Sequence, residues 1–282
     1  MVERDKIMEH REREERSKHL EPIEITSCYI GPEISPEQFV PEHIFMFLAK
    51  GDVAGYDGDK KYTMKSGEYC LIRKNHLARY TKQEDNGAFE KVVVVFDEAF
   101  LKQFQQKHQI RRNGIAAKGA FYELTKTNLV PNFIRSLMPY YNGAHKIDEA
   151  FDQVKREELL LILLQNNPEL VNILFDFGIP EKIDLEAFMN RNYKFNVGME
   201  RFAYLTGRSL SSFKRDFVKI FAETPSRWLI KKRLKEAHFL INRKQQKPND
   251  IYLDLGFEDL SHFSFAFKKL FGYAPSQLAQ TT

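Results

Sequence analysis

A block of 22 residues occurs twice toward the C-terminal end of the chain, and no other feature limits the possible folds as much. Residues 205–226 read LTGRSLSSFKRDFVKIFAETPS and residues 255–276 read LGFEDLSHFSFAFKKLFGYAPS. At a fixed offset of 50, nine of the 22 positions are identical: Leu205/Leu255, Leu210/Leu260, Ser211/Ser261, Phe213/Phe263, Phe217/Phe267, Lys219/Lys269, Phe221/Phe271, Pro225/Pro275 and Ser226/Ser276. Unrelated segments of this length share far fewer residues, so one small structural unit is present twice.

The residues define the unit. In the first copy a short amphipathic helix over 199–205 stops at Thr206-Gly207, Ser209 stands at an N-cap, and SLSSFKRDFVKIF makes a second helix. In the second copy Ile251, Tyr252 and Leu255 belong to the first helix, Gly256 ends it and Asp259 is the N-cap. Ser and Asp interchange there because either side-chain oxygen accepts from the free N–H groups of the first turn. Glycine fits the stop because the chain turns through a left-handed conformation. Helix, tight turn and second helix form the helix-turn-helix pattern.

Each second helix has two faces. Phe213, Phe217 and Phe221, like Phe263, Phe267 and Phe271, recur every four residues and predict the core side. Ser211, Lys214, Arg215 and Val218 lie opposite, as do Ser261, Ser264, Phe265 and Lys268. Two such faces in tandem within a basic segment predict base reading in DNA major grooves rather than two solvated surfaces. A connecting helix from Pro225 to about Ile241 carries Trp228, Leu229, Leu234, Ala237 and Leu240 as its buried stripe. It would hold the units at a fixed spacing; ~34 Å would place them in successive major grooves. Lys219, Lys269, Lys268, Arg227 and Ser209 are the expected contacts to the DNA backbone.

The charge is divided in the same way. Residues 184–282 hold 17 Lys and Arg against 10 Asp and Glu, a net of +7, whereas residues 1–183 hold 26 against 29, a net of −3. These sum to the +4 of the whole chain.

Residues 184–282 resemble the AraC/XylS family of bacterial transcription regulators. The resemblance rests on Leu185, Phe202-Ala203, Gly207, Ser209, Phe217, Pro225, Arg233-Leu234, Ala237, Leu240, Gly256-Phe257, Phe263, Phe267-Lys268-Lys269, Phe271-Gly272 and Pro275. It implies recognition helices beginning near Ser209 and Asp259. By position, Ser211, Lys214 and Arg215 match the family's base-contacting residues in the first unit, and Ser261, His262 and Phe265 match them in the second. Two departures stand out. Phe265 replaces a frequent Arg, so it either presses on a thymine methyl or folds back into the core. Tyr252 occupies a place usually held by a small residue, which alters packing of that first helix.

Ahead of this region the pattern is different. From about Glu24 to Lys126 the segments EITSCYI, EHIFMFLAKG, KKYTMKSGEYCLIRK, LARYTKQ, FEKVVVVF and AFYELTK read as short strands, with turns at GDVAGYDGDK, KSGE and EDNGA. One helix at 97–109 interrupts them. Strands of this spacing predict a sandwich or barrel, and the region resembles the cupin-like sensor domains of many family members. The order of strands, helix and helical connector is similar to the ExsA-like subgroup, whose front half implies self-association and contact with a protein regulator. Phe45, Phe47, Tyr69 and Arg73 are candidate pocket residues, with ordinary core packing as the alternative. A helix over 149–166 becomes apolar nearly all round at LLLILL and must be buried, against the strand domain or against a second subunit.

The expected fold class is therefore α+β in two domains. A cupin-like β-barrel or sandwich with a helical connector precedes an all-α domain of two helix-turn-helix units joined by a long helix. The expected division is a charged arm at 1–20, a sensor domain at 21–130, a helical dimerisation or connector segment at 131–183 and a DNA-binding domain at 184–282. Enzymatic readings find no support in the residues. His43 and His76 stand alone without an HxH metal pair. No nucleophile elbow, P-loop or dinucleotide fingerprint occurs. The methyl-accepting DNA-repair regulators need four zinc-binding cysteines, and only Cys28 and Cys70 are present. No catalytic residue, metal or cofactor is expected. With no long apolar run and no signal peptide, a reduced cytoplasmic protein is expected. Its expected partners are double-stranded promoter DNA, a second copy of itself, RNA polymerase, and a small-molecule or protein effector, with no membrane.

Overall fold

The run Val92 to Phe96 shows how the front of the chain is built. In a strand, alternate side chains face opposite sides, and here both sides are covered. The computed structural model describes residues 27–31, 37–114, 119–140 and 147–280; the arm read at residues 1–20 lies outside them. Ten strands precede and flank the first helices: β1 (Cys28–Ile30), β2 (Phe39–Val40), β3 (His43–Lys50), β4 (Asp52–Tyr56), β5 (Lys61–Met64), β6 (Tyr69–Ile72), β7 (His76–Leu77), β8 (Arg79–Gln83), β9 (Glu90–Phe96) and β10 (Phe121–Glu123). A five-stranded sheet has the order β1-β9-β3-β6-β10, with only β1 and β9 parallel. A three-stranded sheet, β5-β4-β8, and the short pair β2-β7 complete the sandwich.

The large sheet is apolar on both faces. Phe45, Val94 and Leu71 stand side by side in register and pack with Phe47, Tyr69, Val92 and Phe96 against helices. Ile44, Met46, Leu48, Val93 and Val95 point the other way, toward Val53 and Met64 of the smaller sheet. A near-continuous apolar strand is what burial on both faces requires.

Four helices cover the first face: α1 (Glu98–His108), α2 (Leu129–Ser136), α3 (Glu149–Asn166) and α4 (Val171–Leu174). Asp97 caps α1 by accepting from the Phe100 N–H at 2.9 Å and also pairs with Arg156 of α3 at 2.6 Å. Arg156 in turn lies over the Phe100 ring. In the LLLILL run, Leu159, Leu160 and Leu163 are buried inside this core, whereas Leu161 stands 46% exposed.

The segment GDVAGYDGDK, read from sequence as a turn, contains β4, the central strand of the smaller sheet. Its Ala and Gly are weak strand formers, but Gly55 lies under the Phe121 ring, where a Cβ would come within 2.9 Å of the ring edge. Tertiary contact overrides the local preference.

The remainder is helical: α5 (Leu185–Asn192), α6 (Met199–Leu205), α7 (Leu210–Phe221), α8 (Pro225–Lys244), α9 (Pro248–Ile251), α10 (Leu260–Phe271) and α11 (Pro275–Gln280). The connector α8 runs a turn beyond the sequence expectation. The first helix of the second unit is shorter than expected. It ends at Ile251 and continues as turns whose bonds run from the Leu255 N–H to the Ile251 carbonyl and from the Phe257 N–H to the Tyr252 carbonyl. Phe213, Phe217 and Trp228 fill one core and Phe263, Phe267 and Leu234 a second.

One side chain joins the two cores. Arg233 of α8 is buried and donates to three main-chain carbonyls: Tyr193 through Nε at 2.7 Å, Phe195 through Nη2 at 2.7 Å and Gly256 through Nη1 at 2.8 Å. Gly256 has φ +85°, and a Cβ there would strike the Lys194 carbonyl and the guanidinium. Burial pushes the Arg233 pKa down to about 10, still well above neutral.

Two predictions follow from these buried polar groups. Arg233→Met removes five donors and strands three carbonyls. At ~1–3 kcal/mol for a buried polar group left unsatisfied, it should lower the stability of the C-terminal half by at least ~2 kcal/mol. Trp228 is the sole tryptophan and sits in this half, so its fluorescence in urea reads the loss; an unchanged midpoint would contradict the clamp. His43 is buried, and its Nδ1 accepts from the Lys74 N–H. Burial, then the nearby Lys74 and Arg73 charges, lower its pKa to about 3. The unfolded chain binds a proton near pH 6.5 and the folded one does not. His43 should therefore be fully tolerated above about pH 6.5, and stability should fall as pH drops toward 3. Calorimetric unfolding of His43→Gln should show a shallower decline between pH 7.5 and 5 than the parent chain.

Candidate nucleic-acid interface

Ser209 and Asp259 each begin a recognition helix in the same way. The Ser212 N–H donates to Ser209 Oγ at 3.3 Å, and the His262 N–H donates to Asp259 Oδ1 at 2.6 Å. Helices α7 and α10 are both 12 residues long. Both end on left-handed residues, Ala222 with φ 54° and Gly272 with φ 86°. Their inner rings pack alike at tilted angles, Phe213–Phe217 at 5.6 Å and Phe263–Phe267 at 5.9 Å. The repeat in sequence is thus a repeat in space, and residues 50 apart occupy equivalent places on the two helices.

The outer faces are open. Ser211, Lys214 and Arg215 on α7, and Ser261, His262 and Phe265 on α10, are all exposed. So are Ser209, Lys219, Arg227, Lys268 and Lys269, the expected phosphate contacts. Phe265 does not fold into the core: it is 70% exposed. Arg215 donates to Ser212 Oγ at 3.2 Å and lies 3.6 Å from Asp216. Asp216 is a residue the sequence reading missed. It also pairs with Arg208 at 3.3 Å, and Arg208 Nη1 donates to the Thr206 and Ile183 carbonyls. This chain of bonds ties the tight turn to α7. Charge and helical spacing alone put Arg208 on no visible pattern.

The strand domain touches both units. Toward the first, the Tyr56 ring stacks on Phe195 at 5.6 Å, Gln38 Oε1 accepts from the Asn196 N–H at 2.9 Å, and Asn75 Oδ1 accepts from the Tyr204 hydroxyl at 3.1 Å. Arg201 pairs with Glu37 at 2.8 Å and lies over the Phe39 ring. Toward the second, Arg79 donates to the Asp254 carbonyl at 2.8 Å and pairs with its carboxylate at 3.3 Å. None of these contacts uses the exposed reading faces. Contacts between distant segments leave no local periodicity, so none of these residues stands out in the sequence.

The candidate pocket residues divide: Tyr69 borders a cavity, whereas Phe45, Phe47 and Arg73 do not line it. Phe45, Phe47 and Tyr69 are packed in the core between the large sheet and the helices, and the Tyr69 hydroxyl bonds to Thr125 and Thr127. Arg73 donates to the Gly119 carbonyl at 3.0 Å. A cavity of about 220 Å³ is lined by Tyr69 together with Met46, Val53, Met64, Cys70 and Phe121. The alternation of a strand sends Phe45 and Met46 to opposite faces, and the sequence does not say which face holds the space. His43 and His76 flank Lys74 on its two sides. Among the described residues no group of three or more metal-binding side chains occurs, and no helix is long and apolar enough to cross a membrane.

Comparison with known proteins matches the front and back of the chain separately. Residues 43–173 match the family model of the ExsA N-terminal regulatory domain, and residues 202–281 match a helix-turn-helix domain model. The chain is 30% identical to the thermoregulatory protein LcrF of Yersinia pestis over 83% of this chain and 88% of that protein. It is 23% identical to the transcriptional regulator ExsA of Pseudomonas aeruginosa over 94% of this chain and 95% of that one. ToxT from Vibrio cholerae, a solved structure, covers 91% of this chain and 95% of its own at 15% identity, with a TM-score of 0.37. The 30% identity to LcrF over most of both chains, together with the two matching family models, shows that the chain belongs to the AraC/XylS family of DNA-binding transcriptional regulators, with a regulatory domain ahead of its helix-turn-helix region.

Proposed function

We propose that the chain activates transcription by inserting α7 and α10 into successive major grooves of promoter DNA. The observation that carries this reading is the pair of equivalent, exposed outer faces in a region of net charge +7. In the first unit Ser211, Lys214 and Arg215 read base edges. Arg215 supplies the planar donor pair that guanine O6 and N7 accept. In the second unit Ser261, His262 and Phe265 face the bases. Ser209, Lys219, Arg227, Lys268 and Lys269 hold phosphates, and these contacts set register without reading sequence. The working division is a charged arm at 1–20, a sensor at 21–130, a helical segment at 131–183 and the DNA-binding part at 184–282. The protein acts in the cytoplasm, and RNA polymerase is a further partner.

Regulation passes through the strand domain. Tyr56, Gln38 and Asn75 grip the first unit while Arg79 grips the second, so an effector that shifts this domain changes how the two reading helices are held. A small molecule in the 220 Å³ cavity or a protein bound outside it would both act through that contact.

The active form is a homodimer joined along the outer side of α3. Leu160 and Leu163 of the LLLILL run are buried within their own subunit. That leaves Phe151, Val154 (60% exposed) and Leu161 as the apolar stripe for a partner.

Three variants of the full chain test these proposals. Against duplexes selected from a random pool, Arg215→Ala should lose ~1–3 kcal/mol of affinity and relax preference at one base pair. Lys219→Ala should weaken every duplex alike and reduce the salt slope by about one. Fluorescence anisotropy at several salt concentrations measures both, and failure to bind any duplex at low salt would end the DNA reading. In sedimentation, Leu161→Asp should yield a folded monomer, whereas a folded dimer would remove α3 from the interface.

A further inference from the structure

Equivalent places on α7 and α10 carry opposite chemistry. Arg215 and Phe265 stand 50 residues apart on helices with the same length, the same kind of side-chain N-cap and the same inner ring arrangement. Arg215 offers guanidinium donors; Phe265 offers a bare ring. Phe257, Phe263, Phe267 and Phe271 form a continuous series of ring contacts on the inner side, and Phe265 projects from the other side, 70% exposed. Between 184 and 280 no large apolar side chain among the described residues is more exposed.

Its surroundings indicate what meets it. A groove beside Phe265 runs between α10 and the start of α8. Ile230, Ala266 and Leu270 give it an apolar floor, and Arg227, Lys231 and Lys269 line it with positive charge. Glu223, also in the groove, is paired with Lys231 at 3.4 Å and with Arg227 at 3.9 Å. An apolar ring ringed by cations suits a polyanion that presents an apolar group at its centre, and the major groove of DNA has one such group, the C5 methyl of thymine. Against guanine or adenine the ring would cover acceptors that it cannot pair, which is unfavourable.

We propose that Phe265 makes the second unit a thymine reader, selecting a base pair by contact with its C5 methyl, while Arg215 makes the first unit a reader by hydrogen bonds. This rests on the DNA-binding reading above. The two units then differ in what they recognise although they share one backbone, and a site made of two identical half-sites is not what this chain prefers. The same contact accepts 5-methylcytosine in place of thymine, since both carry a methyl at C5.

Duplexes selected by the full-length protein from a random pool provide the probe. Each thymine in the part protected by the second unit is replaced in turn by deoxyuridine, which removes the methyl and nothing else. Loss of one buried methyl corresponds to about a fourfold weaker affinity. Wild type should show that loss at one or two thymines, and cytosine followed by 5-methylcytosine at the same place should show loss and recovery. Phe265→Ala should bind the thymine and deoxyuridine duplexes equally, with an unchanged unfolding midpoint because the ring is exposed. Indifference of wild type to every deoxyuridine replacement overturns the proposal. So does a Phe265→Ala variant that keeps the full deoxyuridine effect, or one that binds the thymine duplex as tightly as wild type; the ring would then serve a protein contact. A wild-type chain that selects no duplex at all refutes the DNA reading itself, a distinct result.

Discussion

The guanidinium of Arg233 sets the geometry on which the DNA-binding half depends. It sits on the connecting helix and donates to carbonyls on both sides, Tyr193 and Phe195 of the first unit and Gly256 at the turn of the second. A buried charge without a carboxylate partner is tolerated because each nitrogen has a carbonyl dipole at hydrogen-bond distance. Two small helical cores, each too small to fix its own orientation, are thereby held at one mutual angle.

The same short stretch around Phe195 is also where the regulatory domain arrives. Tyr56 stacks on Phe195 and Gln38 bonds to the Asn196 main chain, within three residues of the carbonyls that Arg233 holds. Arg79, lying over Tyr56, reaches the second unit at Asp254. The strand domain therefore spans the two units beside the clamp that joins them, and it leaves the reading faces open.

Much of this was legible in the sequence, and the limits have physical causes. The repeated phenylalanines marked the inner faces of α7 and α10, and Ser209 and Asp259 marked their starts, because both signals are local. The Glu149–Asn166 helix was legible for the same reason. Strand β4 was hidden because its Gly55 answers to Phe121, a residue far along the chain. Phe45 and Phe47 looked like pocket residues because alternation on a strand distinguishes two faces without naming them. Arg79 carried no signal because its partner Asp254 lies in a distant segment, and Asp216 and Arg208 carried none because a pair closed across a turn follows no helical period.

Taken alone, the sequence determined that one helix-turn-helix unit occurs twice, that a basic reader follows a slightly acidic strand-rich domain, and that the chemistry at residues 215 and 265 differs. Spacing, capping and charge are local properties, and those suffice for such conclusions. The tertiary structure decided which sheet face holds the cavity, which leucines of LLLILL remain outside, that Phe265 projects outward, and where the two halves touch. Those outcomes depend on which distant surfaces exclude water together, and no stretch of sequence contains that information by itself.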